Sequence, residues 1–137
     1  AIGGIARDRQ SIKIKNFLNK VFSMVKNRAR LHCFGKFSAQ LLDNYPFYSA
    51  DSSSWLEGRP FSGGGHVFFF KNGRFRSYNY KNPEHAHRVN RRFADPWGPN
   101  GSNSYNYKVR IKQNIKTFLQ YESYLQKLWR ERGIEWN

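Results

Sequence analysis

The chain has 137 residues, with 24 Lys and Arg against 9 Asp and Glu, a formal net charge of +15 and 18% aromatic residues. That length supports one domain with a real core but falls short of the ~250 residues of a complete α/β barrel. A single cysteine, Cys33, excludes an internal disulfide framework, and no apolar run nears the ~18 residues of a membrane span.

The chain opens at Ala1 inside a strand-like segment, without methionine and with no signal-peptide pattern, which suggests the C-terminal part of something larger. Residues 2–6 are short and apolar with small side chains, as in a buried parallel strand. Ser11 can cap a helix on which Ile14, Leu18, Val21, Phe22 and Val25 recur at helical spacing. Residues 31–34 form a second strand ending at Gly35, Ser38 can cap a brief helix carrying Leu41 and Leu42, and residues 47–50 form a third strand closed by Asp51. Strand, helix, strand, helix, strand at this spacing predicts βαβ units and a parallel sheet. Gly35 and Asp51 then share the edge where α/β proteins place their sites. The plainer reading of Asp51 is a turn cap, its carboxylate bonding nearby backbone N–H groups.

The composition shifts after residue 55. Residues 56–60 read as an irregular loop and residues 63–65 as a glycine hinge. Residues 68–81 read as a β-hairpin turning at Asn72-Gly73, with aromatics alternating inward and cations outward. Residues 83–104 are rich in Pro, Gly, Asn, His and Arg and read as loop. A last helix places Ile111, Ile115, Phe118, Leu119, Leu125, Leu128 and Trp129 on one face and ends at Gly133. The organisation expected is residues 1–60 as β/α units, 61–110 as a basic aromatic insertion and 111–137 as a packing helix.

Excess cations attract a polyanion and release its counterions, and aromatic faces among them can stack on unpaired bases. Lys71, Arg74, Arg76, Tyr78, Arg88, Arg91 and Arg92, with Arg59 before them, are therefore the candidate nucleic-acid-binding residues. A metal is not expected: His85-Ala86-His87 is the one close histidine pair, His32 and His66 are remote from it, and no second cysteine exists. Ser52, Ser53 and Ser54 lack a Gly-x-Ser-x-Gly elbow and a histidine in an obvious partnering position. Residues 63–65 lack the Gly-Lys-Ser/Thr of a P-loop, so neither a nucleotide nor any other cofactor is expected.

In order along the chain, Gly3-Gly4-Ile5-Ala6, Cys33-Phe34-Gly35 and Tyr48-Ser49-Ala50-Asp51 resemble the last strands of the tRNA-guanine transglycosylase barrel. In that family a Gly-Gly-Leu-Ala strand lines the base pocket, a later strand ends in Gly-x-Gly and the next carries an aspartate nucleophile. The helix at Asn114-Ile115-Lys116-Thr117-Phe118 is similar to the family's closing helix. The resemblance covers about residues 1–60 and 110–132, and phage-borne relatives that place deazaguanines in DNA are the nearer comparison. It implies the C-terminal portion of a TIM (β/α)8-like barrel, with Asp51 as nucleophile and Gly3, Gly4, Ile5 and Gly35 at the base. It further implies a tRNA or DNA substrate, a 7-deazaguanine base as the small-molecule substrate and an N-terminal half of the barrel as partner; the cytoplasmic location with no membrane is expected from the lone cysteine and the absence of a long apolar run. The family's zinc cluster has no counterpart, Asp8 does not clearly match the acidic residue that follows the glycine strand, and Arg59 corresponds only loosely to a downstream Thr-Arg. The alternative from another class is a non-catalytic basic structural protein, a virion or ribonucleoprotein component, which the charge and the aromatics explain equally well.

Overall fold

A computed structural model describes residues 2, 11–25, 28–35, 38–58, 65–82, 84 and 106–135. They form a mixed helix and strand structure with two two-stranded sheets. The chain divides into two compact units, one made of residues 1–52 and 125–137, the other of residues 53–124.

In the first unit α1 (Ser11–Val25) buries Ile14 and Leu18, four apart on one face, and leaves Ile12, Phe17 and Met24 exposed. β1 (His32–Cys33) and β2 (Ser49–Ala50) pair in parallel, His32 opposite Ser49 and Cys33 opposite Ala50. Ile2 lies parallel against the other side of Cys33, its N–H donating to the His32 carbonyl (2.7 Å) and its carbonyl accepting from Phe34 N–H (3.0 Å). Three parallel segments in chain order are what the alternation of apolar runs and helical periods predicts. The third is shorter than the predicted 47–50: Phe47 N–H turns back to the Tyr45 carbonyl (2.8 Å), and the Phe47 ring is buried edge-on against Phe22 (5.1 Å).

α2 (Ala39–Asn44) places Leu41 and Leu42 in the same core. Ser38 occupies its N-cap with extended backbone, but its hydroxyl makes no capping bond. Tyr45 follows, stacked on Phe22 at 5.5 Å, its hydroxyl donating to Asn19 Oδ1 (2.7 Å). Burial pushes the Tyr45 pKa up, which keeps that hydroxyl a donor. The Trp129 indole N–H donates to the Leu42 carbonyl (3.0 Å) and Arg132 to that of Asp43.

The second unit begins with a 3-10 turn, Ser54–Gly58, where the sequence reads as loop; Leu56 N–H donating to the Ser53 carbonyl (2.9 Å) winds it. β3 (His66–Lys71) and β4 (Arg74–Asn79) form the predicted hairpin, Phe70 opposite Phe75 and Lys71 opposite Arg74. Its turn is Asn72-Gly73, with φ of 52° and 70°, the two left-handed residues that a type I′ turn requires. The expected alternation of aromatics inward and cations outward does not hold on β3, where Val67, Phe68 and Phe69 are all buried. One face carries Phe68, Phe70 and Phe75 onto Phe118, Tyr121 and Tyr124, at centroid distances of 5.0–5.5 Å. The other packs Val67 and Phe69 with Tyr78 and Val109.

α3 (Tyr107–Glu131) starts at Asn106, whose Oδ1 accepts from Lys108 N–H (3.0 Å). It ends at Gly133, φ 78°, with Ile134 N–H on the Trp129 carbonyl and Gly133 N–H on that of Arg130, a Schellman closure. The apolar stripe read from the sequence is buried only in part: Trp129 is buried and Ile111, Phe118, Leu125 and Leu128 half-buried, but Ile115 is 41% and Leu119 58% exposed. Arg110, Asn114 and Thr117 are fully buried instead. Asn114 Oδ1 accepts from Phe68 N–H (2.8 Å) and its Nδ2 donates to the carbonyls of His66 (3.1 Å) and Trp55 (3.2 Å). Thr117 Oγ1 donates to the Phe68 carbonyl (2.7 Å). These side chains close the edge of β3 that β4 does not pair, so the helix docks by hydrogen bonds where a third strand would otherwise lie. Arg110 donates from Nε to the Gly58 carbonyl (2.8 Å) and lies over the Tyr80 ring at 3.8 Å.

Replacing Asn114 by alanine strands a buried N–H and two carbonyls. The expected loss in denaturant unfolding is about 3 kcal/mol, against less than about 1 kcal/mol for Leu119→Ala. Equal losses would return the helix to docking by its apolar stripe.

Candidate functional site

β1 and β2 place three polar side chains together. Alternation along a strand puts Ser49 and Asp51 on the same face of β2, and the parallel register sets His32 of β1 opposite Ser49. Cys33 therefore points the other way, into the core. His32 Nδ1 lies 2.9 Å from Ser49 Oγ and Nε2 lies 3.0 Å from Asp51 Oδ1. The same Oδ1 accepts Gly35 N–H at 2.8 Å. Gly35 reaches it with φ of 69°, a conformation that turns its amide back toward β2 and that glycine adopts without strain.

The Asp51 carboxylate thus takes a backbone N–H, as a capping residue would, but from across the sheet at the end of β1. Its pKa is lowered, first by the Gly35 backbone N–H, then by the His32 hydrogen bond and charge, with desolvation opposing. An ionised carboxylate only accepts, so Nε2 carries a hydrogen. In neutral imidazole Nδ1 is then the acceptor and Ser49 O–H donates to it; in imidazolium the direction reverses, with Nδ1–H donating to Ser49 Oγ. The His32 and Asp51 side chains are 33% and 52% exposed, so the group is open to a solution partner. Oδ1 thus takes both the imidazole and the Gly35 amide.

Gly35 and Asp51 meet at one edge, as the sequence predicts, although the Gly35 N–H is engaged by the carboxylate. Gly3, Gly4 and Ile5 lie outside the described residues, as do Arg59, Arg88, Arg91, Arg92 and the pair His85 and His87. His32 and Ser49 are absent from the sequence-derived set. Each stands on a strand the sequence identifies, and parallel pairing of those strands was the signal that joined them. Among the described residues no three His, Cys, Asp or Glu side chains are placed to hold a metal ion, and no helix is long and apolar enough to cross a membrane.

Within the second unit, hairpin register puts Lys71, Arg74, Arg76 and Tyr78 on one face, with the three cations exposed. Lys71 and Arg74 are direct cross-strand partners, and like charges so placed repel unless an anion lies between them. The aromatic residues among them are largely committed to packing: Phe69 is buried, Phe75 contacts Phe68, Phe118 and Tyr121, and Tyr80 lies under Arg110. Comparison with known family models, curated proteins and solved structures finds no match.

Because the native pKa of Asp51 lies below its ordinary value near 3.8, its contribution to stability is complete above that value and fades as pH falls through the native one. A carboxyl-detected NMR titration should give a midpoint below 3.8 for Asp51. His32→Ala should move the midpoint up without restoring the ordinary value, since the Gly35 amide, the leading cause, remains. A midpoint at the ordinary value in the wild-type chain would remove the Gly35 and His32 contacts from solution.

Proposed function

We propose that this chain carries out nucleic-acid base exchange, replacing guanine by a 7-deazaguanine in tRNA or DNA, with Asp51 as the nucleophile and the parallel segments as part of a TIM-like barrel. The observation that carries the reading is Asp51 at the C-terminal end of a parallel strand, ionised, pinned through Oδ1 and with Oδ2 left for attack. Oδ2 attacks the sugar C1′ as the C1′–N bond breaks and its electron pair leaves with the purine. A covalent glycosyl–enzyme ester results, which the incoming base then displaces. The transition state has oxocarbenium character, and a carboxylate beside it stabilises that charge as in glycosidases. The target base must leave its stack to be reached. Fixing one carboxylate oxygen by a backbone amide and an imidazole holds the attacking oxygen without rotational search, which is the positioning that such a step needs. Asp51→Asn should abolish a denaturation-resistant nucleic-acid adduct while leaving binding nearly intact. Exchange persisting in that variant removes the catalytic assignment.

The second reading, a non-catalytic nucleic-acid-binding structural protein, is favoured by a separate observation: the exposed face of Lys71, Arg74 and Arg76. Cations so arranged fit phosphates rather than base edges, so the binding they give is salt-sensitive and sequence-tolerant. Replacing all three by alanine should weaken binding of single-stranded nucleic acid and make its salt slope shallower by about one per phosphate contact removed. An unchanged affinity and slope across a salt series would leave the hairpin as packing alone.

A further inference from the structure

Base exchange has a proton to manage as well as a sugar. A purine leaving from C1′ carries an extra electron pair on a ring nitrogen and leaves far more readily if that nitrogen is protonated as the bond breaks; the incoming base must lose a proton in the reverse step. Asp51 cannot supply this proton, since its carboxylate is ionised and engaged in attack. Beside it stands a group that can. Imidazole is the side chain that ordinarily gains and loses a proton near neutral pH, and His32 holds both ring nitrogens in hydrogen bonds, one to Asp51 and one to a hydroxyl.

We propose that Ser49 and His32 form the proton relay of this site, with Ser49 as the acid that touches the departing base and His32 as its proton source. The inference rests on the base-exchange reading of Asp51. Before attack His32 is imidazolium, with Nε2–H on Asp51 Oδ1 and Nδ1–H on Ser49 Oγ. As Oδ2 forms its bond to C1′, the C1′–N pair passes to the base, Ser49 O–H gives its proton to that nitrogen and Nδ1–H replaces it on Oγ. Imidazolium, carboxylate and bound base become neutral imidazole, glycosyl ester and free protonated base, with atoms and charge conserved. In the second half-reaction the incoming base gives its proton to Ser49, Ser49 passes its own to Nδ1, and the base's nitrogen pair displaces Asp51 from C1′.

Three features favour a relay over simple anchoring. Ser49 and Asp51 stand two apart on one strand face, so the hydroxyl and the attacking carboxylate present to the same ligand. His32 remains hydrogen-bonded to Ser49 in both protonation states, with only the direction of the bond reversed, so the transfer needs no side-chain movement. The site is exposed enough for a base to reach Ser49.

The test exploits leaving groups. An oligonucleotide carrying 7-methylguanine at the target position presents a base that departs neutral and needs no proton, whereas guanine needs one. Rates of covalent adduct formation would be compared for the full wild-type chain, His32→Gln and Ser49→Ala on both oligonucleotides. Glutamine retains a donor toward Asp51, and alanine leaves the His32–Asp51 contact untouched. The expected result is a loss of about 100-fold or more on guanine in each variant, with rates on 7-methylguanine close to wild type. Equal losses on both bases would reduce the pair to a mount for Asp51 and overturn the relay, as would no loss on either. Absence of any adduct on both oligonucleotides from the complete wild-type protein, with the N-terminal part of the barrel present, would overturn the base-exchange reading itself, and the relay with it.

Discussion

Asn114 makes three hydrogen bonds at once, accepting one from the Phe68 amide and donating two to the His66 and Trp55 carbonyls. Only a primary amide carries an acceptor and two donors on a short stem, so no apolar residue and no carboxylate could replace it. The constraint it meets is general: a strand has two edges, and a buried backbone group without a partner costs about as much as several good contacts return. β4 satisfies one edge of β3. Asn114 and Thr117, one helical turn apart, satisfy the other, and the aromatic contacts of Phe118 and Tyr121 follow from where those two residues fix the helix.

The same need shapes the site in the first unit. Where β1 ends, the Gly35 amide turns away from the ladder and the Asp51 carboxylate takes it up. What begins as completion of a strand end has chemical consequences. A backbone N–H that cannot be titrated away holds one carboxylate oxygen and favours the ionised form without a buried counter-charge. The histidine binds the same oxygen. Structure and reactivity come from one contact, which is why the substitution that removes the carboxylate must be read for fold and chemistry separately.

Much of this was legible in the sequence. Short apolar runs at residues 2–6, 31–34 and 47–50 separated by helical periods predict parallel pairing, which Ile2, His32–Cys33 and Ser49–Ala50 show, Asn72-Gly73 predicts the hairpin turn, and Gly133 the helix end. These signals are local, each set by the backbone preferences of a few residues. The join between His32 and Ser49 was not legible, because it depends on register. A shift of one residue would have turned His32 into the core and Cys33 outward, and two-residue strands carry too little pattern to choose between them. The buried face of α3 escaped for a different reason. Hydrophobic periodicity marks Ile111, Ile115, Phe118, Leu119, Leu125, Leu128 and Trp129, of which Phe118 and Trp129 pack, but it misses Arg110, Asn114 and Thr117, polar residues of which Asn114 and Thr117 complete the unpaired edge of β3. A search for apolar stripes cannot see the part of a helix that docks by hydrogen bonds.

A carboxylate nucleophile that works on a polyanion faces like-charge repulsion, and the chain's charge bears on it. At contact distances in water one carboxylate–phosphate pair costs about 1 kcal/mol, and salt screens it beyond roughly 10 Å. On the base-exchange reading, a net charge of +15 reverses the sign of the long-range field, so that a nucleic-acid substrate would be drawn in and its counterions released before the carboxylate is felt. Near the site the hydrogen bonds take over. Charge withdrawn onto the Gly35 amide and the imidazole is charge that a neighbouring phosphate does not meet. The remaining oxygen still carries enough to meet a carbon that becomes cationic as the base departs. On the base-exchange reading, the excess of lysine and arginine and the exposed position of Asp51 are two parts of one requirement: the substrate itself must cover the site, and only a strongly basic chain brings it close enough to do so.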